Sequence, residues 1–229
     1  MVIKNGIGVI GIMAGKDDSL CSSAGGKIDG VCNIAGGFYK ELHINGVCNI
    51  EGDVETESFR IDGVCNCNGS ITADEFDCDG VLTISGDLRV GKADIDGVVT
   101  VNGDKVGADR IVCDGVLSVE GEISADVIAA KGKLVAKEVV GDEITIKSYW
   151  KTSGLAGALV KLVANVSFGY SSVDLIEGTT VDLRGVRAKS VSGQTVKIGK
   201  NCEIDRVEAS GTLEIHPDAR VGEVAQVEQ

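Results

Sequence analysis

The sequence predicts an all-β fold: a parallel β-helix, or β-solenoid, wound in short repeating coils of about 17 residues each and interrupted once by a short helical insertion. Three observations carry that reading. Two glycine columns recur in step, apolar and polar residues alternate, and the same residue types return at the same place in successive repeats.

The glycine columns come first, because an internal repeat decides the architecture before any local propensity does. The segment Ile-(Asp/Asn)-Gly-Val, with close variants, sets glycine at Gly30, Gly46, Gly63, Gly80, Gly97 and Gly115, with successive gaps of 16, 17, 17, 17 and 18. A second column, Gly36, Gly52, Gly69, Gly86, Gly103 and Gly121, advances by the same gaps. Glycine serves where a coil bends or where another backbone comes close, and the inward parity of these positions favours close approach.

Within a repeat the period is 2, that of a strand rather than a helix. In the fourth repeat Phe76, Cys78, Leu82, Ile84, Leu88 and Val90 share one parity with Gly80 and Gly86. The other parity, Asp77, Asp79, Val81, Thr83, Ser85, Asp87 and Arg89, is polar except for Val81. One side faces a core and the other faces water.

That register extends to inward columns. One is Leu42, Phe59, Phe76, Ala93, Ile111, Ile128, and another is Ile28, Ile44, Ile61, Cys78, Ile95, Cys113, Ala130. A third runs Cys32, Cys48, Cys65, Leu82, Val99, Leu117, Leu134, beside Ile34, Ile50, Cys67, Ile84, Val101, Val119, Ala136. A repeat of this length is too short for a strand with a crossover helix, which takes about 30 residues, but suits three short strands per coil. Successive coils then pair in parallel about 4.8 Å apart.

These patterns divide the chain. Residues 1–27 form an N-terminal tail, open to reading as a flexible segment, a membrane-contact tail or a terminal strand. Residues 28–146 form the main β-helix of about seven coils. Residues 147–176 leave the pattern, and Leu155, Leu159, Leu162, Val163 and Val166 fall at helical spacing within 153–166, which predicts a short amphipathic helix. The covering of the solenoid's side is its default role, since Lys161 alone supplies positive charge there and a membrane-surface helix carries more. About three coils return over 177–224, with Val181, Ile198 and Ile215 in one column, Ile204 with Val221 in a second and Val207 with Val224 in a third. Residues 225–229 are a tail.

Composition narrows the class. Of 229 residues 43% are hydrophobic and only 3% aromatic, so the core is affordable but not built on large rings. A net charge of −13 repels phosphate backbones, which argues against nucleic acid as a partner. Eight cysteines with no signal-peptide pattern before them predict free thiols in a reducing cytoplasm. No apolar run approaches the roughly 20 residues of a membrane-spanning helix.

Candidate chemistry is sparse, and no catalytic, cofactor-binding or metal-binding residue is assigned. His43 and His216 are the only histidines, too few for a three-histidine zinc centre. Cys32, Cys48 and Cys65 stack on adjacent coils, but they alternate with Leu, Val and Ile and read as small buried hydrophobes. The outward column Asp29, Asn45, Asp62, Asp79, Asp96, Asp114 sets carboxylates one coil apart, a pattern open to divalent cations but ordinary for solvated residues before glycine. The outward column Val31, Val47, Val64, Val81, Val98, Val116 is the candidate contact stripe. Its alternative is plain strand preference for β-branched residues.

A resemblance adds to this. The segments LHINGVCNIEGDV (42–54) and VLTISGDLRV (81–90) resemble the glycine-punctuated coils of the bactofilins, bacterial polymer-forming cytoskeletal proteins, and residues 196–224 are similar to the ends of longer Firmicute-type members. The resemblance implies a right-handed β-helix that polymerises end to end into filaments without nucleotide, often near the membrane. The expected partners are therefore copies of itself, with peripheral contact to a membrane or an envelope protein. The expected role is a non-enzymatic cytoskeletal scaffold. Two alternatives stand beside it: a capped, non-polymerising scaffold or adaptor, with Pro217 and the acidic tail after Val221 blunting one end, and a β-helix acyltransferase. Ile198-Gly199-Lys200-Asn201-Cys202-Glu203 matches one hexapeptide of the left-handed acyltransferases, although the motif does not recur at the hexapeptide period.

Overall fold

The computed structural model of the chain describes residues 8–11, 26–148 and 170–226. Among the described residues the regular structure is strand throughout. The first four strands are β1 (Gly8–Gly11), β2 (Gly26–Asp29), β3 (Val31–Ile44) and β4 (Val47–Ile61). Short and long strands then alternate: β5 (Val64–Cys67), β6 (Ile71–Cys78), β7 (Val81–Ile84), β8 (Leu88–Ile95), β9 (Val98–Val101), β10 (Lys105–Cys113), β11 (Val116–Val119) and β12 (Glu122–Ala130). Four longer strands follow, β13 (Lys133–Lys147), β14 (Ser171–Arg184), β15 (Val186–Ile198) and β16 (Glu203–Ile215), and then β17 (Arg220–Gln226). Each pairs in parallel with the equivalent strand one coil away, giving a parallel β-solenoid of about 11 turns.

One coil shows how the sequence closes a turn. From Val64 to Cys67 the chain makes one side, bends at 68–70, and makes a second side over Ile71–Ala73. Pairing to the coil below then skips Asp74 and resumes at Glu75, and Asp74 and Glu75 are both exposed, so the chain turns a corner there before its third side. The inward residues Cys65, Cys67, Ile71, Phe76 and Cys78 are buried and fill a narrow interior. Phe59 and Phe76 meet edge to face, centroids 6.1 Å apart, the arrangement that ring quadrupoles favour.

The first glycine column lies at the corner that closes each coil, and close approach is what it provides. A Cβ on Gly80 would stand 2.0 Å from the carbonyl oxygen of Gly63, and one on Gly46 or Gly132 would stand 1.8 Å from that of Gly30 or Gly115.

The four N-terminal columns hold in register as the alternation predicts, from Ile28 opposite Ile44 to Cys113 opposite Ala130. Three expectations change. Gly8–Gly11 pairs with Gly26–Asp29, so part of the N-terminal tail is a terminal strand. Val181 does not join the column of Ile198 and Ile215; it lies opposite Val196, and Leu183 lies opposite Ile198, because the coil from β14 to β15 is shorter than those marked by the glycine columns. Ile215 does pair with Ile198.

The third change is the largest. Residues 147–176 do not divide the solenoid into two, because β13 pairs directly with β14 from Val135 opposite Ser172 to Lys147 opposite Arg184. That step is 37, as from Leu134 to Ser171, where the coil before took 16, and the surplus equals the length of 149–169. Residues 171–176, assigned to the insertion from sequence, are strand. They lack the glycine-marked signature of the earlier coils, but buried Ser171 and Val173 alternate with exposed Ser172 and Asp174, and Ile176 is buried after Leu175. The predicted helix at 153–166 lies outside the described residues.

The two roots of the excursion are tied together. Ser148 Oγ and Ser171 Oγ are 2.6 Å apart, and Ser171, fully buried, also accepts the backbone N–H of Leu134 at 3.0 Å. Ser148 N donates to Arg184 O and Ser171 N to Gly185 O, at 3.0 and 3.2 Å. The ladder crosses the insertion unbroken.

Candidate functional site

The valine column is in register from Val31 to Val116, and the next position in it is Lys133. Its exposure is not uniform. Val31, Val47 and Val64 expose 58%, 41% and 36% of their surface, Val81 is half-buried, and Val98 and Val116 fall to 4% and 2%. The stripe expected to face solvent along its whole length does so only over its first three coils. Val98 and Val116 nevertheless stand outside the core cluster, since their neighbours Val99 and Leu117 are the inward residues.

Beside the valines runs a column that the sequence reading passed over. Asn49 Nδ2 donates to Asn33 Oδ1 at 2.9 Å and Asn66 Nδ2 to Asn49 Oδ1 at 3.2 Å, a ladder of amides one coil apart. Its signal is the tripeptide Val-Cys-Asn, repeated at 31–33, 47–49 and 64–66. Each asparagine satisfies the next, so these exposed positions tie coils together.

The acidic column is held by few cations. Arg60 reaches Asp62, Asp77 and Asp79 at 3.3, 3.0 and 3.1 Å, and Lys131 lies 3.6 Å from Asp114. Asn45 Nδ2 donates to Asp29 Oδ1 at 2.8 Å. Farther along, burial and then the neighbouring Asp94 and Asp114 raise the pKa of Asp96. Among the described residues no group of three or more His, Cys, Asp or Glu has the arrangement to hold a metal ion.

The two histidines have local partners. His43 Nε2 lies 2.7 Å from Asp62 Oδ2, and this hydrogen bond is the largest influence holding the Asp62 carboxyl below its usual range. His216 accepts the backbone N–H of Asp218 on Nδ1 at 3.0 Å, and Ala219 N donates to His216 O, which closes the corner around Pro217. Pro217 therefore turns the chain between β16 and β17 and does not cap the end.

The cysteine column is packed. Cys32 Sγ is 3.4 Å from Cys48 Sγ, Cys48 and Cys65 are buried, and Cys32 is half-buried. Burial pushes the Cys32, Cys78 and Cys113 thiols up to about 12. For Cys48 the hydrogen bond with Cys65 leads burial in raising the pKa. Thiols so disfavoured as thiolates are poor nucleophiles and poor metal ligands.

A shallow furrow of about 660 Å³ follows the corner where Ala125, Gly141, Gly178, Gly193 and Ala209 form a small-residue column. Its lining includes no histidine, cysteine or aromatic residue.

The last described coil is another surface with exposed apolar residues. β17 pairs with β16, and among the described strands none pairs with its outer edge. Val224 and Ile215, 49% and 40% exposed, continue the inward columns of Val207 and Ile198. Leu213 and Val221 are partly buried against the core. The end presents a cross-section of the core together with a row of backbone groups.

Part of the chain is similar to the uncharacterized protein YhbE of Bacillus subtilis, 42% identical over 50 residues. The match spans 22% of this chain and 21% of that protein. No protein-family model matches the chain, and no solved structure matches it.

Proposed function

We propose that this chain is a non-enzymatic, bactofilin-like structural scaffold that joins copies of itself end to end without nucleotide. The β-solenoid is compatible with a structural scaffold. The observation that carries the finer reading is the last coil, where Ile215, Val224, Leu213 and Val221 sit at the top of inward columns beside an unpaired strand edge. An edge of this kind is a template for another strand, and a second copy supplies one with apolar residues in step. The non-enzymatic part is supported by the local duties of His43 and His216 and by thiols held protonated. The reading places the assembly in the cytoplasm, with peripheral contact to a membrane or an envelope protein. Among the described residues no helix is long and apolar enough to cross a membrane.

Electron microscopy and light scattering of the full chain without nucleotide test the proposal. The expected result is elongated assemblies that the double substitution Ile215→Lys/Val224→Lys shortens or abolishes. Uniform monomers across salt and protein concentration would refute it and leave the capped scaffold.

A further inference from the structure

Building on the end-to-end reading, we propose that the joint is head to tail: β1 of one copy seats on β16 of the next, over Thr212–Ile215, and supplies the side of the coil that is open there. β16 runs along all three sides of its coil, but β17 covers only the first two. Their pairing runs from Glu203 opposite Arg220 to Ala209 opposite Gln226 and stops, and among the described strands none lies over Thr212–Ile215. Burial follows that step within one strand. Val207 and Ala209, beneath β17, are buried, whereas Ile215 is 40% exposed although Ile198, its neighbour one coil back, is buried.

The opposite end carries the strand that fits. β1 is the outermost described strand there, and its register assigns it to the same side of the coil. Ile10 lies opposite Ile28, Ile28 opposite Ile44 and Ile44 opposite Ile61. From there one column runs without a break to Leu183, Ile198 and Ile215. A second copy whose β1 stands one strand spacing, about 4.8 Å, beyond β16 therefore sets Ile10 next after Ile215 and Gly8 next after Leu213, in parallel and with no change of register. The column passes from chain to chain as it passes from coil to coil.

The difference between the ends fixes the direction of assembly. Two β16 ends brought together would each present an open side and no strand to close it. A seat at one end and its strand at the other make a heterologous contact, which propagates as a filament when its rotation does not close a ring. Strand addition to an open edge draws affinity from backbone hydrogen bonds and register from the side-chain positions.

Sedimentation of the full chain tests the proposal, with Ile10→Lys and Leu213→Lys/Ile215→Lys made separately. Each should be monomeric alone, because each lacks one half of every joint. Mixed, the intact β16 end of the first takes the intact β1 end of the second, so the mass should double and rise no further. Dimers of Ile10→Lys alone would show β16 ends meeting each other and overturn the proposal, as would a mixture that stays monomeric. Val9→Cys/Glu214→Cys sets the two new thiols opposite each other across the joint. Mild oxidation should then give a ladder of covalent oligomers on a denaturing gel that neither single substitution nor the parent gives, which decides the matter if Ile10→Lys loses its strand signal in circular dichroism. Elongated particles without that ladder overturn the head-to-tail joint and leave the end-to-end reading standing; a parent that is monomeric throughout refutes both.

Discussion

Two glycines of the same solenoid should respond to the same substitution with opposite sign. In Gly80→Ala the new Cβ would stand 2.0 Å from Gly63 O, and real Cβ contacts essentially never fall below 3.0 Å, so the two coils must part locally to admit it. The oxygen that must move is the acceptor of the Val81 N–H at 2.8 Å, and Gly80 N itself donates to Ile61 O at 3.0 Å. Overpacking costs about 1–3 kcal/mol and a buried amide left without its partner about 1–3 kcal/mol more, so the expected loss is roughly 2–6 kcal/mol. Gly107 in β10 has no atom within 4 Å of the same position and no positive φ. Gly107→Ala should be neutral or stabilising by up to about 1 kcal/mol, through the restricted unfolded chain. Guanidinium unfolding monitored by circular dichroism reads both. Because repeat arrays depart from two-state behaviour, amide exchange of Val64 and Val81 provides a local readout. Gly80→Ala within about 0.5 kcal/mol of the parent would refute the account of the corner column, since an unstrained surface change stays in that range.

Three further predictions concern the core and the insertion. Phe59→Ala should cost about 3–5 kcal/mol in the same unfolding assay, because the ring is fully buried and packs edge to face on Phe76. Ser171→Ala should cost about 1–3 kcal/mol by leaving the buried Leu134 N–H without its acceptor, read by thermal denaturation. Cys78 and Cys113 are pushed up to about 12 from 9.0, so the folded state keeps protons that the unfolded state releases. Their stabilisation is complete below pH 9 and declines as pH rises toward 12; melting temperature should fall over that window, and less steeply in Cys78→Val/Cys113→Val.

The columns were legible in the sequence because a coil repeats its inward parity and stacks like on like, so that Leu42, Phe59 and Phe76 could be aligned by counting alone. Counting failed where the step changed. Between β14 and β15 the coil shortens, which preserves the parity of Val181 but moves it to a different partner. Across 147–176 the excursion of 149–169 hid a ladder that is in fact continuous, since neighbours in a solenoid are set by pairing and not by chain distance. The valine column departs from expectation for a related reason: parity tells which way a side chain points, but not how much of it stays exposed. The asparagine ladder has its signal in the repeated Val-Cys-Asn, where the valine and cysteine columns already set the register and an amide pairing across coils leaves no mark in hydropathy.

The unbroken register also makes the chain a ruler. Each coil adds one strand spacing of about 4.8 Å, so about 11 turns set a length on the order of 50 Å. Removing residues 64–80 would bring Val81 onto Val47 with every inward and outward position still matched, because both the coil taken out and the joint it leaves are whole units of the same pattern. Duplicating those residues would lengthen the rod by one graduation and leave both ends as they were. Evolution can therefore tune the span of this molecule in integer steps without redesigning either terminus, and the excursion after Ser148 sits at a fixed mark along the scale.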